Sequence, residues 1–108
     1  MFNQLKNWNI EQVTGYKPIT TYYTDLSIAE RFGLDAIKDT YNKVIKSEIG
    51  YKELTEFVMA LNWKIWEHYE SGNEELARLY DKLWNLGAEH ATKTLKGDEL
   101  SYYFRTVD

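Results

Sequence analysis

The segment from Tyr51 to Glu70 constrains the fold more than any other part of this 108-residue chain. At ~100° per residue, its apolar side chains fall on one side of a helix, and two more widen the stripe. They are Leu54, Phe57, Val58, Leu61, Ile65 and Tyr69, widened by Met59 and Trp66. The apolar arc spans roughly 200°, about twice the width that a surface helix shows. We therefore predict that residues 51–70 form a central helix contacted on two flanks.

A second helix is predicted directly after the first. Gly72 can adopt the left-handed conformation that ends a helix, and Asn73 can cap the next one. The apolar stripe of this helix runs over residues 74–96, and it contains the small residues Gly87 and Ala91, which would let another backbone approach closely. Because the connection is short, residues 51–70 and 74–96 should form an antiparallel helical hairpin.

Shorter helical signals precede the hairpin. Residues 35–47 carry a narrow apolar stripe typical of a peripheral helix, with Asp35 as its predicted N-cap. Before them, Ser27 and Glu30 have the spacing of a capping box, which predicts a short helix ending at Gly33.

The two ends of the chain lack clean periodicity. Residues 1–26 and 98–108 are rich in aromatic residues, and we expect them to be irregular, although residues 98–108 could instead form a short helix capped by Asp98. The prediction is an all-α fold, a small helical bundle built on the hairpin, with residues 1–108 as a single domain. The alternative is an α+β fold in which ITTYYTD and LSYYFRTVD pair as a terminal ribbon, since both are rich in β-branched and aromatic residues.

Composition and charge exclude several classes of function. The chain has no cysteine, so disulfides, thiolate nucleophiles and cysteine-ligated metals are excluded. No apolar run approaches the ~20 residues that span a membrane, and the N-terminal MFNQLKNWNIEQ lacks an apolar signal-peptide region. We expect a cytoplasmic protein with no membrane contact.

The charge distribution argues against nucleic-acid binding. Residues 1–50 have no net charge, and residues 51–108 carry the whole net charge of −4, which repels phosphates. The alternative that remains is a helix-turn-helix-like DNA-binding regulator through residues 27–47. That segment has a net charge of only +1, and Asp39 stands where such a motif needs an apolar residue.

The chain carries no recognisable catalytic or metal-binding motif. GxSxG, phosphate-binding glycine loops and HExxH are absent, so we predict no enzyme and no cofactor. His68 and His90 would lie ~20 Å apart on the hairpin at 1.5 Å per residue, so we predict core histidines that bind no metal. An enzyme or small-molecule binder around Asn62, which lies with Thr55 inside the apolar arc, is the second alternative.

The candidate partner-binding residues are Glu56, Trp63, Glu67 and Glu70. They lie on the side of helix 51–70 that the periodicity assigns to solvent, where Glu56 should keep a near-ordinary pKa. Trp63 among these carboxylates has two explanations. Either the aromatic ends of the chain fold over it, or it is an exposed anchor for a partner with a basic rim.

Several segments resemble a group of small proteins encoded by phages and prophages of Gram-positive bacteria. The segments are TDLSIAERFG, AIKDTYNKV, YKELTEFVMALNWKIWEHYE, LYDKLWNLG and LSYYFRTVD, and the resemblance covers about residues 16–108. That group has no established activity, so the resemblance implies a setting in the host cytoplasm and no particular site. Together with the missing motifs, it predicts a non-enzymatic protein-interaction module that binds a host or phage protein or associates with itself.

Overall fold

A computed structural model describes residues 18–107 of the chain, with side chains from residue 21 onward. Within this range lie five helices: α1 (Pro18–Glu30), α2 (Leu34–Lys46), α3 (Tyr51–Glu70), α4 (Glu74–Thr94) and α5 (Asp98–Val107). Residues 18–107 contain no strand. The all-α prediction is therefore confirmed, and the α+β alternative is not supported.

Helix α3 is central, as its wide apolar arc predicted. It packs against α1, α4 and α5, and its side chains enter both hydrophobic clusters of the core. In the larger cluster, Phe57, Leu61 and Ile65 meet residues of α1, α2 and α4. In the smaller one, Leu54 and Val58 meet residues of α4 and α5.

The predicted antiparallel hairpin is also confirmed. Gly72 has a φ of 79°, and the side chain of Asn73 accepts a hydrogen bond of 3.3 Å from the Leu76 amide. The two helices approach closely where α4 has no side chain, since a Cβ on Gly87 would lie 3.2 Å from Val58 Cγ2. Helix α4 ends at Thr94, two residues before the predicted end, and Leu95 is extended.

The start of α1 contradicts the predicted capping box. The helix begins at Pro18, and Ser27 lies inside it, where its hydroxyl donates to the carbonyl of Tyr23 at 3.0 Å. Proline fits the first helical turn because its missing N–H would have no helical partner there. Asp35 is not the N-cap of α2 either: it lies in the first turn, and Gly33, with a φ of 110°, takes the capping position.

The prediction of irregular ends is wrong for residues 18–26 and 98–107, which are helical. The alternative of a short helix over residues 98–108 agrees with α5, which begins at Asp98. The aromatic residues there pack against α3 and its neighbours. Tyr22 meets Phe57 edge to face at 5.2 Å between ring centroids, and Tyr103 is buried in the smaller core cluster. These tertiary contacts override the strand propensity of both segments. Residues 1–17 and 108, on which the rest of that prediction falls, lie outside the described residues.

The buried side of α3 is wider than predicted on one edge and narrower on the other. Glu56 was predicted to face solvent, and the same ~100° period places Lys64 on that side, yet the two residues are 2% and 1% exposed. Trp66 and Tyr69 were assigned to the apolar stripe, yet they are 46% and 52% exposed. The reason lies in α1, which packs along the side of α3 that periodicity alone assigned to solvent.

No helix within residues 18–107 combines the length and the apolar character needed to cross a membrane.

Two leucines on α4 give a matched test of the packing. Leu83 is buried and Leu86 is exposed on the same helix. We expect Leu83→Ala, like Leu61→Ala on α3, to lower the free energy of unfolding by about 2–5 kcal/mol because each leaves a cavity. Leu86→Ala should cost less than about 1 kcal/mol. Urea denaturation of the three variants measures this, and equal losses at positions 83 and 86 would contradict the assigned faces.

Candidate functional site

A cluster of charged side chains lies in the interior around Lys64. Its ammonium nitrogen is 3.0 Å from Oε2 of Glu30 on α1 and 3.0 Å from Oε2 of Glu67 one turn further along α3. The same nitrogen lies 4.3 Å from the centroid of the Tyr23 ring. We call Tyr23, Glu30, Lys64, Glu67, His68 and Tyr80 the Lys64 cluster.

Two aromatic side chains and an imidazole complete the cluster. The hydroxyl of Tyr80 on α4 donates to Oε2 of Glu30 at 2.6 Å, and the hydroxyl of Tyr23 donates to Oε1 of Glu67. His68 places Nε2 3.2 Å from Oε1 of Glu30, and its ring stacks on Tyr80 with 5.6 Å between centroids. The cluster therefore joins α1, α3 and α4.

Burial and hydrogen bonding act in opposite directions on these groups. Burial alone would raise the pKa of Glu30, but hydrogen bonds from Tyr80, Lys64 and His68 outweigh it and hold the pKa below its ordinary value. Burial lowers the pKa of Lys64, and the hydrogen bond with Glu30 opposes this shift. Burial raises the pKa of Tyr80, and its hydrogen bond to Glu30 adds to the effect. Tyr80 is thus a neutral donor throughout the ordinary pH range.

Within the described part of the chain, Glu30, Glu67 and His68 offer possible metal-ligand atoms within 4.8 Å of one another. Lys64 already lies between the two carboxylates, so its ammonium supplies the positive charge that they require. The expectation that His68 and His90 bind no metal stays a prediction. His68 is buried as expected, although its neighbours are charged, whereas His90 is only half-buried.

The four residues predicted to bind a partner do not share one surface. Glu56 is buried, and this burial raises the pKa of its carboxyl above the ordinary value, contrary to the expected solvent-facing position. Glu67 belongs to the Lys64 cluster, Trp63 is half-buried and Glu70 is exposed. Partner binding through these residues stays a prediction, although Glu56 is buried and the carboxylate of Glu67 is already paired with Lys64 and Tyr23.

The polar residues within the predicted apolar arc have separate environments. Thr55 is buried and donates its hydroxyl to the Tyr51 carbonyl at 2.7 Å, which satisfies it within its own helix. Asn62 is half-buried. A groove that the structure describes lies between α1 and α2 and is lined by neither residue.

An exposed aromatic pair lies at the C-terminal end of α3. The rings of Trp66 and Tyr69 are 6.5 Å apart between centroids, and Glu70 is exposed on the same face of the helix. We call Trp66, Tyr69 and Glu70 the Trp66 patch. The surrounding sequence is acidic, because residues 65–77 contain four glutamates and neither lysine nor arginine.

Sequence reasoning missed both features for one reason. The helical period assigns Lys64 and Glu67 to solvent and Trp66 and Tyr69 to the core, since it takes no account of which helix packs where. Glu67 is a local partner of Lys64, three positions along α3. The other partner, Glu30, lies on α1, and no local pattern pairs it with Lys64.

No protein-family model, no curated protein and no solved structure matches this chain.

Removing the central charge of the cluster should destabilise the fold. Lys64→Met leaves Glu30 and Glu67 facing each other without a cation, and we expect a loss of about 3–5 kcal/mol in the free energy of unfolding. Lys93 provides the control, because it forms a 2.9 Å ion pair with Glu89 on the surface of α4. Lys93→Met should leave the stability unchanged. Similar midpoints of urea denaturation for both variants would contradict a structural role for Lys64.

The lowered pKa of Glu30 makes stability fall in acid. Native Glu30 binds its proton less readily than the unfolded carboxyl, whose pKa is about 4.3. Its contribution is therefore present above pH ~4.3 and is lost as the pH falls through the lower native pKa. Urea denaturation between pH 7 and pH 2.5 should show a shallower loss for Glu30→Gln than for the unsubstituted chain. Parallel curves would contradict this assignment.

Proposed function

We propose that this chain is a non-enzymatic protein-interaction module that binds a protein partner with a basic surface through the Trp66 patch. One observation carries the proposal: Trp66 and Tyr69 are 46% and 52% exposed side by side, on a helix whose Phe57, Leu61 and Ile65 are buried. A monomer gains nothing from placing two large aromatic side chains together in water.

The residue types of the patch suit an interface. Tryptophan and tyrosine are enriched among the residues that contribute most binding energy, because they bury a large area and lose little conformational entropy. The Trp66 and Tyr69 rings already contact each other in the free chain. A partner would meet a surface that is partly ordered before binding, which lowers the entropic cost of association.

The charge around the patch specifies the partner's chemistry. Glu70 is exposed one turn from Trp66, Glu75 is exposed in the first turn of α4, and Glu74 forms an exposed ion pair with Arg78. An acidic rim favours a partner with lysine or arginine around an apolar centre and disfavours an acidic one. The proposed anchor differs from the one predicted from the sequence, because Trp66 and Tyr69 are exposed whereas Trp63 is half-buried.

The non-enzymatic part of the proposal rests on the missing motifs and on the Lys64 cluster. Within that cluster the carboxylates of Glu30 and Glu67 are each held by Lys64 and by a tyrosine hydroxyl. Groups that satisfy one another in the interior stabilise the fold and are not offered to a substrate.

A protein partner is favoured over DNA by the exposed face of α2. Asp35 and Asp39 are exposed there among Lys38 and Lys43, so the helix that would enter a groove of DNA presents carboxylates to the phosphates. The setting that we propose, the cytoplasm of a phage-infected host, is supported by the resemblance of the sequence segments to phage and prophage proteins.

The test compares tagged chains in the native host. We expect the unsubstituted chain to retain a protein with a basic contact surface, and Trp66→Ser/Tyr69→Ser to lose it without a change in melting temperature. Phe104→Ser, which alters an exposed aromatic residue on α5, should retain the partner. With the purified pair, Kd should rise at least tenfold between 50 and 300 mM salt. The proposal would be contradicted if Trp66→Ser/Tyr69→Ser retained the partner, or if Kd did not change with salt concentration.

A further inference from the structure

The two N-terminal helices of the described chain enclose an open groove. It has a volume of about 420 Å³ and lies between α1 and α2, beside the turn that joins them. Its lining is apolar along the middle and charged at the end away from the turn. The lining residues are Asp25, Ile28, Ala29, Phe32, Ala36, Thr40, Lys43 and Val44.

Two large apolar side chains beside this groove are exposed to solvent. Phe32 is 78% exposed and Ile28 is 47% exposed, four positions apart along the chain. One exposed apolar residue needs no explanation, but these two project beside a groove that includes the small side chains of Ala29 and Ala36. The same surface therefore combines a projecting side chain, the Phe32 ring, with the groove that could receive such a ring.

We propose that the groove between α1 and α2 is the interface with a second copy of this chain. A two-fold axis along the groove places α1 of one copy over α2 of the other. The same patch is then used on both copies, as a closed dimer requires. The two Phe32 rings meet at the turn end and cover each other, and the Ile28 side chains fill the apolar middle.

Charge favours a second copy as the occupant. Asp25 belongs to α1 and Lys43 to α2, and both line the groove on the side away from the turn. Placing α1 over α2 sets Asp25 of each copy opposite Lys43 of the other, which gives two pairs of opposite sign. Residues 18–46, which form α1, α2 and their turn, contain four acidic and four basic side chains, whereas residues 51–108 carry −4, so two copies repel least through α1 and α2.

This interface is separate from the Trp66 patch. The groove lies between α1 and α2, and the patch lies at the end of α3. A dimer formed through α1 and α2 would leave both Trp66 patches accessible. An experiment can therefore contradict the self-association without contradicting the binding of a protein partner, and the reverse.

Sedimentation velocity from 1 µM to 1 mM, at 50 mM salt, tests the dimer directly. We expect a monomer–dimer equilibrium in the unsubstituted chain. Phe32→Ser should raise the dimer Kd at least tenfold, and its melting temperature at 1 µM should stay unchanged, because Phe32 is mostly exposed. Phe104→Ser should leave the Kd unchanged. A chain that stays monomeric at 1 mM, or equal effects of the two serine variants, overturns the proposal.

A charge exchange tests the orientation of the two copies. Asp25→Lys alone and Lys43→Asp alone each set like charges opposite each other, so each should weaken the dimer. Mixing the two single variants restores both opposite pairs and should give a heterodimer at least tenfold tighter than either homodimer. The same affinity in the mixture as in the separate variants would overturn this arrangement, whatever the chain binds through Trp66.

Discussion

The ammonium group of Lys64 is the charge on which the arrangement of the helices depends. A lysine that is 1% exposed must be neutralised within the protein, because an unpaired charge in the interior costs several kcal/mol. Glu30 on α1 supplies one carboxylate, and Tyr80 on α4 hydrogen-bonds that same carboxylate. The axial positions of α1 and α4 along α3 are thus fixed by polar geometry, which apolar packing alone specifies less sharply.

That requirement accounts for the side of α3 that is exposed. With Glu30 at the end of α1 and Tyr22 near its start both contacting α3, α1 covers the side that carries Lys64. A helix that is packed on this side and against α4 and α5 keeps only a limited exposed strip, and near the C-terminal end that strip contains Trp66 and Tyr69. The aromatic pair is exposed because a lysine is buried on the other edge of the same helix.

Most of the fold was predictable, and most of the candidate site was not. The apolar period gave α2, α3 and α4 to within two residues, since those helices bury apolar faces whose spacing is local information. Of the terminal helices, α1 was predicted only from Ser27 onward, and α5 was only an alternative to irregular chain. Their aromatic residues acquire a helical role only through contacts with α3. The Lys64 cluster was missed for a stricter reason: which lysine finds a buried carboxylate is decided by the packing of distant segments.

The distribution of charged and apolar side chains also bears on the two interactions that we propose. Burial and hydrogen bonding shift the pKa values of Lys64 and Glu30, and both groups form ion pairs within the Lys64 cluster, together with Glu67. The C-terminal end of α3 exposes two aromatic side chains, Trp66 and Tyr69, beside acidic residues. Helices α1 and α2 expose an apolar groove that Asp25 and Lys43 line at one end. Both proposed interactions use the burial of apolar area and charge complementarity. The Lys64 cluster holds its charged groups in contact with one another, so the two proposed interactions rest on the apolar area and the charge that α1, α2 and α3 expose.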